Sequence, residues 1–211
     1  MLLTNVRSII NKFDELAAVI EVLSPDIAII CETWIPKVLN NDDLALFNLP
    51  NYNTILYCRE NNKGGGIAVW LIQSLNYKVI NLTSNKLPRL PFDPEMITVR
   101  VDDISLFLIG IYIPPAVVVK YGSLLRKYLN IYCEVLLDNY NKYYIIIAGD
   151  LNNFNTQGLE TGFQLQKMIK QPTRGKNILD QILVDSSLAD YYFPCKILPP
   201  ISNSDHQVAW L

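Results

Sequence analysis

Short apolar runs bounded by turn residues recur along this chain more often than helical stripes do, and that imbalance restricts the fold more than any other feature. Asp26 to Cys31 (DIAIIC) is rich in isoleucine and lacks polar alternation, which suits a strand buried on both faces. Further runs of strand character cover 52–58, 66–71, 77–82, 96–101, 104–112, 143–148, 181–184 and 208–211, with turn residues between most of them. Helical spacing is confined to 11–23, 121–137 and 159–169. Ser24-Pro25 ends the first of these, because proline disfavours a helical residue before it. Strands outnumber helices and neighbouring runs read as hairpins, so a purely alternating βαβ sheet does not fit. The pattern predicts an α+β domain with two packed sheets and helices outside them. The irregular 86–94 stretch, with three prolines, reads as a surface loop.

A length of 211 residues suits one domain, 1–211, and half of those residues are hydrophobic, enough to bury a core. No run approaches the roughly 18 apolar residues of a spanning helix, and no basic segment followed by an apolar block opens the chain. A soluble chain with no membrane role is expected. Cys31, Cys58, Cys133 and Cys195 show no C-x-x-C spacing, which argues against a zinc site and for free thiols. The formal net charge of −2 argues against a generally basic nucleic-acid-gripping surface. One local exception is 161–179, where Lys167, Lys170, Arg174 and Lys176 occur without an acid. Such a run is a phosphate-contacting face or, more commonly, a solvated one.

Polar residues follow the apolar runs directly: Asn5 after 2–4, Glu32 after 26–31, Tyr112 at the end of 104–112, and Asp150 and Asn152 after 143–149. Strand ends are where polar groups converge on a cleft. Taken singly, an Asp or Asn after a strand is more often a turn former. Together the chemical types say more, since Glu32, Asp150 and Asp205 are hard oxygen ligands suited to Mg²⁺ or Mn²⁺. His206 is the sole histidine, which excludes a two-histidine metal site and assigns any imidazole acid/base work to this residue. Gly64-Gly65-Gly66 suits a phosphate approach or, more often, a turn. No G-x-x-x-x-G-K-[ST], G-x-S-x-G or H-E-x-x-H occurs, which weakens nucleotide-triphosphatase, serine-hydrolase and zinc-protease readings.

Read in order, Asn5, Cys31-Glu32-Thr33-Trp34, Gly64 to Ile67, Tyr112-Ile113-Pro114-Pro115, Gly149-Asp150-Leu151-Asn152, Leu179-Asp180 and Ser204-Asp205-His206 resemble the endonuclease/exonuclease/phosphatase superfamily. Asn5-Val6-Arg7-Ser8, the glutamate followed by Thr-Trp, and Tyr-Ile-Pro-Pro are most similar to the apurinic-type endonuclease domain of LINE-type, non-LTR retrotransposons. The resemblance implies a four-layer αββα sandwich with two packed mixed sheets, DNase I-like, and a site at one edge of the sheets. It implies a Mg²⁺-dependent DNA endonuclease, Mn²⁺ being an alternative, that nicks double-stranded target DNA and leaves a 3′-hydroxyl. Glu32 and Asn5 would hold the cation, with Asp205 near the same region. Asp180 would orient His206, Asp150 would position or deprotonate the attacking water, and Asn152 and Tyr112 would bind phosphate oxygens. Thr173, Arg174 and Ser204 are expected at the substrate. A reverse transcriptase domain of a parent polyprotein is the implied partner, and the implied place of action is intracellular, on nuclear DNA.

The chain departs from the family in three places. Leu151 stands where phenylalanine is common, a change expected to alter packing and spare the polar pair. Thr4 stands where tryptophan is frequent. The 173–180 interval leaves little room for a long DNA-probing hairpin, so modest sequence specificity is expected. Within the fold, the rival activities are phosphomonoester hydrolysis and lipid phosphodiester hydrolysis. From another class, the rival is a catalytically inactive DNA-binding relic, and the full set of site residues argues against it.

Overall fold

A computed structural model describes residues 1–37, 44–59, 64–140 and 142–211. Twelve strands are named: β1 (Leu2–Asn5), β2 (Ile27–Cys31), β3 (Tyr52–Tyr57), β4 (Ile67–Ile72), β5 (Tyr77–Val79), β6 (Glu95–Val101), β7 (Leu106–Tyr112), β8 (Tyr144–Asp150), β9 (Leu165–Lys167), β10 (Asp180–Asp185), β11 (Lys196–Leu198) and β12 (Val208–Trp210). Helices among the described residues include α1 (Phe13–Leu23), α2 (Pro115–Asn139), α3 (Gln157–Gly162) and α4 (Ser186–Ala189). The strands form two six-stranded mixed sheets, β11-β12-β1-β2-β4-β3 and β5-β6-β7-β8-β10-β9. Among the described residues no helix is long and apolar enough to cross a membrane.

The continuous apolar character of the strands follows from burial on both faces. In β2, Ile29 and Cys31 enter the core between the sheets, while Ala28 and Ile30 pack outward with Leu16 and Ile20 of α1. In the other sheet Leu108, Ile146 and Ala148 face inward. Phe107, Ile109, Ile145 and Ile147 face outward, against Leu125, Leu129, Tyr132 and Leu136 of α2. The layer order is helix, sheet, sheet, helix, as the resemblance implied.

α1 ends where Ser24 turns left-handed (φ 44) and its N–H bonds to the Ile20 carbonyl, immediately before Pro25. α2 begins earlier than the expected 121, with Pro115 at its first turn. Proline is pre-set for that position, and the three valines that follow obscure the helical period. The expected helix over 159–169 is corrected: α3 stops at Gly162, and Leu165–Lys167 pairs antiparallel with β10 as an edge strand. A free sheet edge outweighed local propensity there. Strand β11 lies between prolines, which confine such a segment to a sheet edge. The expected strand over 77–82 is shorter, stopping at Val79.

Two registers position the chemistry. Parallel pairing of β1 with β2 sets Asn5 beside Cys31, one residue before Glu32. Antiparallel pairing of β8 with β10 sets Asp150 directly opposite Asp180. Beneath them the buried thiol of Cys31 accepts from the Asp150 N–H at 3.3 Å and lies 3.9 Å from the Ile111 carbonyl, joining the two sheets. All four cysteines are free, with Cys31 and Cys133 buried.

Candidate active site

Three buried side chains form the centre. His206 Nδ1 lies 2.8 Å from Asp180 Oδ2, and His206 Nε2 lies 4.0 Å from Asp150 Oδ2. With Nδ1 held by Asp180, Nε2 is the ring atom that faces Asp150 and any bound substrate. Burial lowers the His206 pKa, but the Asp180 hydrogen bond and the charges of Asp180 and Asp150 outweigh it, so the net shift is upward. Burial, then the neighbouring Asp180 charge, pushes Asp150 up to about 7 against the opposing pull of His206 and Asn5. Asp180 Oδ1 is buried without a hydrogen-bond partner. Asp150, Asp180 and His206 each offer a ligand atom, all within 4.8 Å of one another, a group able to hold a metal ion.

A second cluster adjoins the first through Asn5, which is fully buried. Its amide nitrogen donates to Glu32 Oε1 at 2.9 Å and Asp150 Oδ2 at 2.8 Å, while its carbonyl oxygen accepts from the Arg7 N–H at 3.0 Å. The amide therefore spaces two carboxylates that would otherwise repel across the sheet interface. Glu32 Oε1 also accepts from the Tyr112 hydroxyl at 3.1 Å, and Oε2 accepts from the Trp34 indole N–H at 3.1 Å. Burial and the Glu32 charge hold the Tyr112 hydroxyl well above the ordinary tyrosine range, so it remains a donor. Glu32 and Asn152 both have left-handed backbone, φ 54 and φ 50, a conformation that non-glycine residues rarely adopt away from imposed local geometry.

The Asn152 N–H donates to Asp150 Oδ1 at 3.0 Å and its side-chain amide donates to the Ile113 carbonyl at 2.9 Å. Leu151 is buried with Phe154 and Leu159, so the departure at this position acts on packing beneath the Asp–Asn pair. Ser204 donates to the Asn5 carbonyl at 2.6 Å and accepts from the His206 N–H at 3.2 Å, tying the loop before β12 to the end of β1. Asp205 points the other way, with Oδ2 2.6 Å from Arg174 and 3.3 Å from Arg7. Burial raises its pKa and the two guanidiniums lower it, with a net downward shift. That carboxylate is committed to two arginines, whereas the resemblance implied a place near the metal.

Thr173 was expected at the substrate, and its surroundings are internal. It is fully buried, its hydroxyl accepts from the N–H groups of both Leu179 and Asp180 at 3.1 Å, and its carbonyl accepts from the Gln207 N–H at 2.7 Å. The hydroxyl thus fixes the start of β10, and the backbone carbonyl fixes the chain just after His206. Thr173→Val would leave two buried N–H groups unsatisfied, at about 1–3 kcal/mol each. Urea unfolding is expected to show that loss for valine and near-native stability for Thr173→Ser. Arg174 remains partly exposed beside this turn, within reach of a ligand. Of the other basic residues in the 161–179 run, Lys167 pairs with Glu160 at 3.0 Å.

Sequence reasoning assigned no role to Arg59, Glu95 or Trp34. Buried Glu95 pairs with Arg59 and accepts from the Gly66 N–H at 2.6 Å, and the Arg59 guanidinium lies 6.0 Å from the Tyr112 ring centroid. The available signal was a single acid opening strand β6, downstream of the triple glycine.

No family model matches the chain, and no curated protein matches it. Solved structures do match. AP endonuclease LMAP from Leishmania major superposes with TM-score 0.72 at 16% identity, covering 99% of this chain and 86% of that one. An AP endonuclease from Archaeoglobus fulgidus gives 0.66 at 14%, covering 99% and 97%. The endonuclease domain of TRAS1, a telomere-specific non-LTR retrotransposon, gives 0.67 at 16%, covering 99% and 94%. With two packed six-stranded mixed sheets between outer helices, the chain has the DNase I-like α/β sandwich fold of these structures.

Proposed function

We propose that this chain is a divalent-metal-dependent endonuclease that hydrolyses DNA phosphodiester bonds, nicking target DNA for a LINE-type element. The observation that carries the reading is the buried Asp180–His206–Asp150 group joined through Asn5 to Glu32. The AP endonucleases and the retrotransposon endonuclease domain that share this fold support DNA as the substrate class.

The donor set fits a hard divalent cation: two of the three grouped residues, Asp150 and Asp180, are carboxylates, and one buried oxygen of Asp180 lacks a partner. Glu32, beside the Asp150 group, would hold Mg²⁺ or Mn²⁺, and Asn5 would join it as a ligand by turning its side-chain oxygen, which now accepts from the Arg7 N–H, toward the carboxylates. When bound, such an ion neutralises phosphate charge and stabilises charge developing on the oxygens of the displacement. His206, oriented by Asp180, presents Nε2 to the phosphoryl oxygens as a cationic donor. Asp150 accepts a proton from the attacking water, whose oxygen forms the new bond to phosphorus as the bond to O3′ breaks. O3′ leaves with the bonding electron pair and takes a proton from solvent water, giving a 3′-hydroxyl and a 5′-phosphate. Asn152 retains a second amide hydrogen for a phosphate oxygen. Tyr112 has one hydroxyl proton, now on Glu32, and contact with phosphate exchanges that bond. The 3′-hydroxyl would prime a reverse transcriptase domain acting on the same nick, in the nucleus.

Nicking of supercoiled plasmid with Mg²⁺ tests the reading. EDTA is expected to abolish it, His206→Ala to slow it by roughly 10²–10⁴-fold, the usual range for acid/base groups, and Glu32→Ala to slow it by removing a ligand of the cation. An intact plasmid, with inositol phosphate hydrolysed instead, would overturn the DNA assignment. Variants that nick like the native chain would overturn the site.

A pH profile follows from Asp150. Cleavage should rise with pH along a limb near 7, because only the ionised carboxylate accepts the water's proton. The sign for stability is opposite. The folded carboxyl holds a proton that the unfolded one releases near 3.8, so this group's contribution falls as pH rises from there to about 7. Asp150→Asn should remove the limb in kcat/KM and flatten that part of the stability profile.

A further inference from the structure

Trp34 stands two residues beyond Glu32, and like Glu32 it has left-handed backbone (φ 57). A bulky residue adopts that conformation only where its surroundings impose it. Three contacts do so. Its backbone N–H donates to the Gly65 carbonyl at 2.9 Å, its indole N–H donates to Glu32, and Gly64 packs beside the ring nitrogen at ordinary van der Waals distance. All three glycines have left-handed backbone (φ 88, 70 and 85), and the turn they make brings the Gly65 carbonyl to the Trp34 N–H. Yet the side chain is held in the open, 38% exposed.

The exposed indole lines a cleft of about 440 Å³ together with Arg7, Ser8, Lys12 and Asn203. Lys12 Nζ donates to the carbonyls of Val6 and Arg7, and Arg7 reaches Asp205 at 3.3 Å, so two cations border the cleft. A rigid aromatic next to cations and beside a phosphodiester site is the arrangement that binds an unstacked nucleobase with its phosphate. In an intact duplex both faces of a base are covered by its neighbours. Only an unpaired or frayed base offers a free face.

Resting on the DNA reading above, we propose that Trp34 is a stacking platform for one unpaired nucleobase flanking the scissile phosphate, with Arg7 and Lys12 contacting that nucleotide's phosphate. The site thereby favours frayed, mismatched or single-stranded DNA over a fully paired duplex.

The test uses the full chain in EDTA, so that binding is read without cleavage. Native protein, W34F and W34A are titrated with a single-stranded oligonucleotide and with a fully paired hairpin of the same composition. Binding is followed by anisotropy and by intrinsic tryptophan emission. The other tryptophans are the fully buried Trp70 and the partly buried Trp210. The expected result is quenching by the single strand in the native chain and its loss in W34F. W34F, which keeps an aromatic face and lacks the N–H donor, should bind within about three-fold of native. W34A should bind the single strand roughly ten- to hundred-fold more weakly, the worth of one stacked base, and the paired hairpin much less affected. W34F as weak as W34A would reduce Trp34 to a support for Glu32 and overturn the proposal, as would W34A equal to native. Should W34A not fold, absence of the native-minus-W34F quench overturns it independently. A native chain that binds neither DNA fails the DNA reading itself, a result distinct from binding without any role for Trp34.

Discussion

Asp180→Asn is expected to lower the rate of DNA nicking by roughly 10³–10⁴-fold, the scale seen when the carboxylate orienting a catalytic histidine becomes an amide. The substitution preserves volume at a fully buried position, so folding should survive. What changes is His206. With the carboxylate 2.8 Å away, Nδ1 carries the proton and Nε2 is turned toward Asp150 and the substrate. An amide in its place removes the charge that sustains an imidazolium in a buried site. Because His206 is the sole histidine, its ring gives one clean NMR titration. That titration should shift to lower pH in the variant, alongside the loss of rate. A variant that nicks within ten-fold of native, with the imidazole titration unmoved, would remove Asp180 from the mechanism.

Gly149→Ala is expected to cost about 3 kcal/mol or more, the upper end of overpacking penalties, and to abolish nicking with it. A Cβ at Gly149 would collide with the backbone carbonyl of Ile111 on the neighbouring strand. Backbone cannot turn aside as a side chain can, so β7 and β8 must separate at the point where β8 delivers Asp150 to the site. Gly122 provides the contrast. It lies in α2 with nothing near its missing Cβ, and alanine there should stabilise by about 1 kcal/mol through helix propensity. Urea unfolding of the two variants checks both signs. A Gly149→Ala chain as stable as native would refute the close approach.

How far the site was legible depended on the kind of constraint. Asn5, Glu32, Asp150 and Asn152 could be picked out because each follows an apolar run, and a carboxylate at such a position must be solvated, paired or bound to a cation. Pairing partners were not legible from the run alone. Thr173 looked like a surface polar residue in a basic stretch, yet it is buried, since two backbone N–H groups at the start of β10 require an acceptor. Asp205 could be named as a hard ligand but not as the shared partner of Arg7 and Arg174, which come from opposite ends of the chain. The helix expected over 159–169 failed for a related reason: Leu165–Lys167 is a strand because β10 offered an unpaired edge.

By itself, the sequence determined the layer order and the list of polar strand ends. Hydrophobic period is a local property, and strands apolar on every position must be covered on both faces. Only the tertiary structure decided which of those polar groups meet. The antiparallel register opposing Asp150 to Asp180, the amide of Asn5 between Glu32 and Asp150, and the glycine turn that holds Trp34 in the open all join residues far apart in the chain. Hydrogen bonds and charges act over a few ångströms, and those separations exist only once the two sheets have packed.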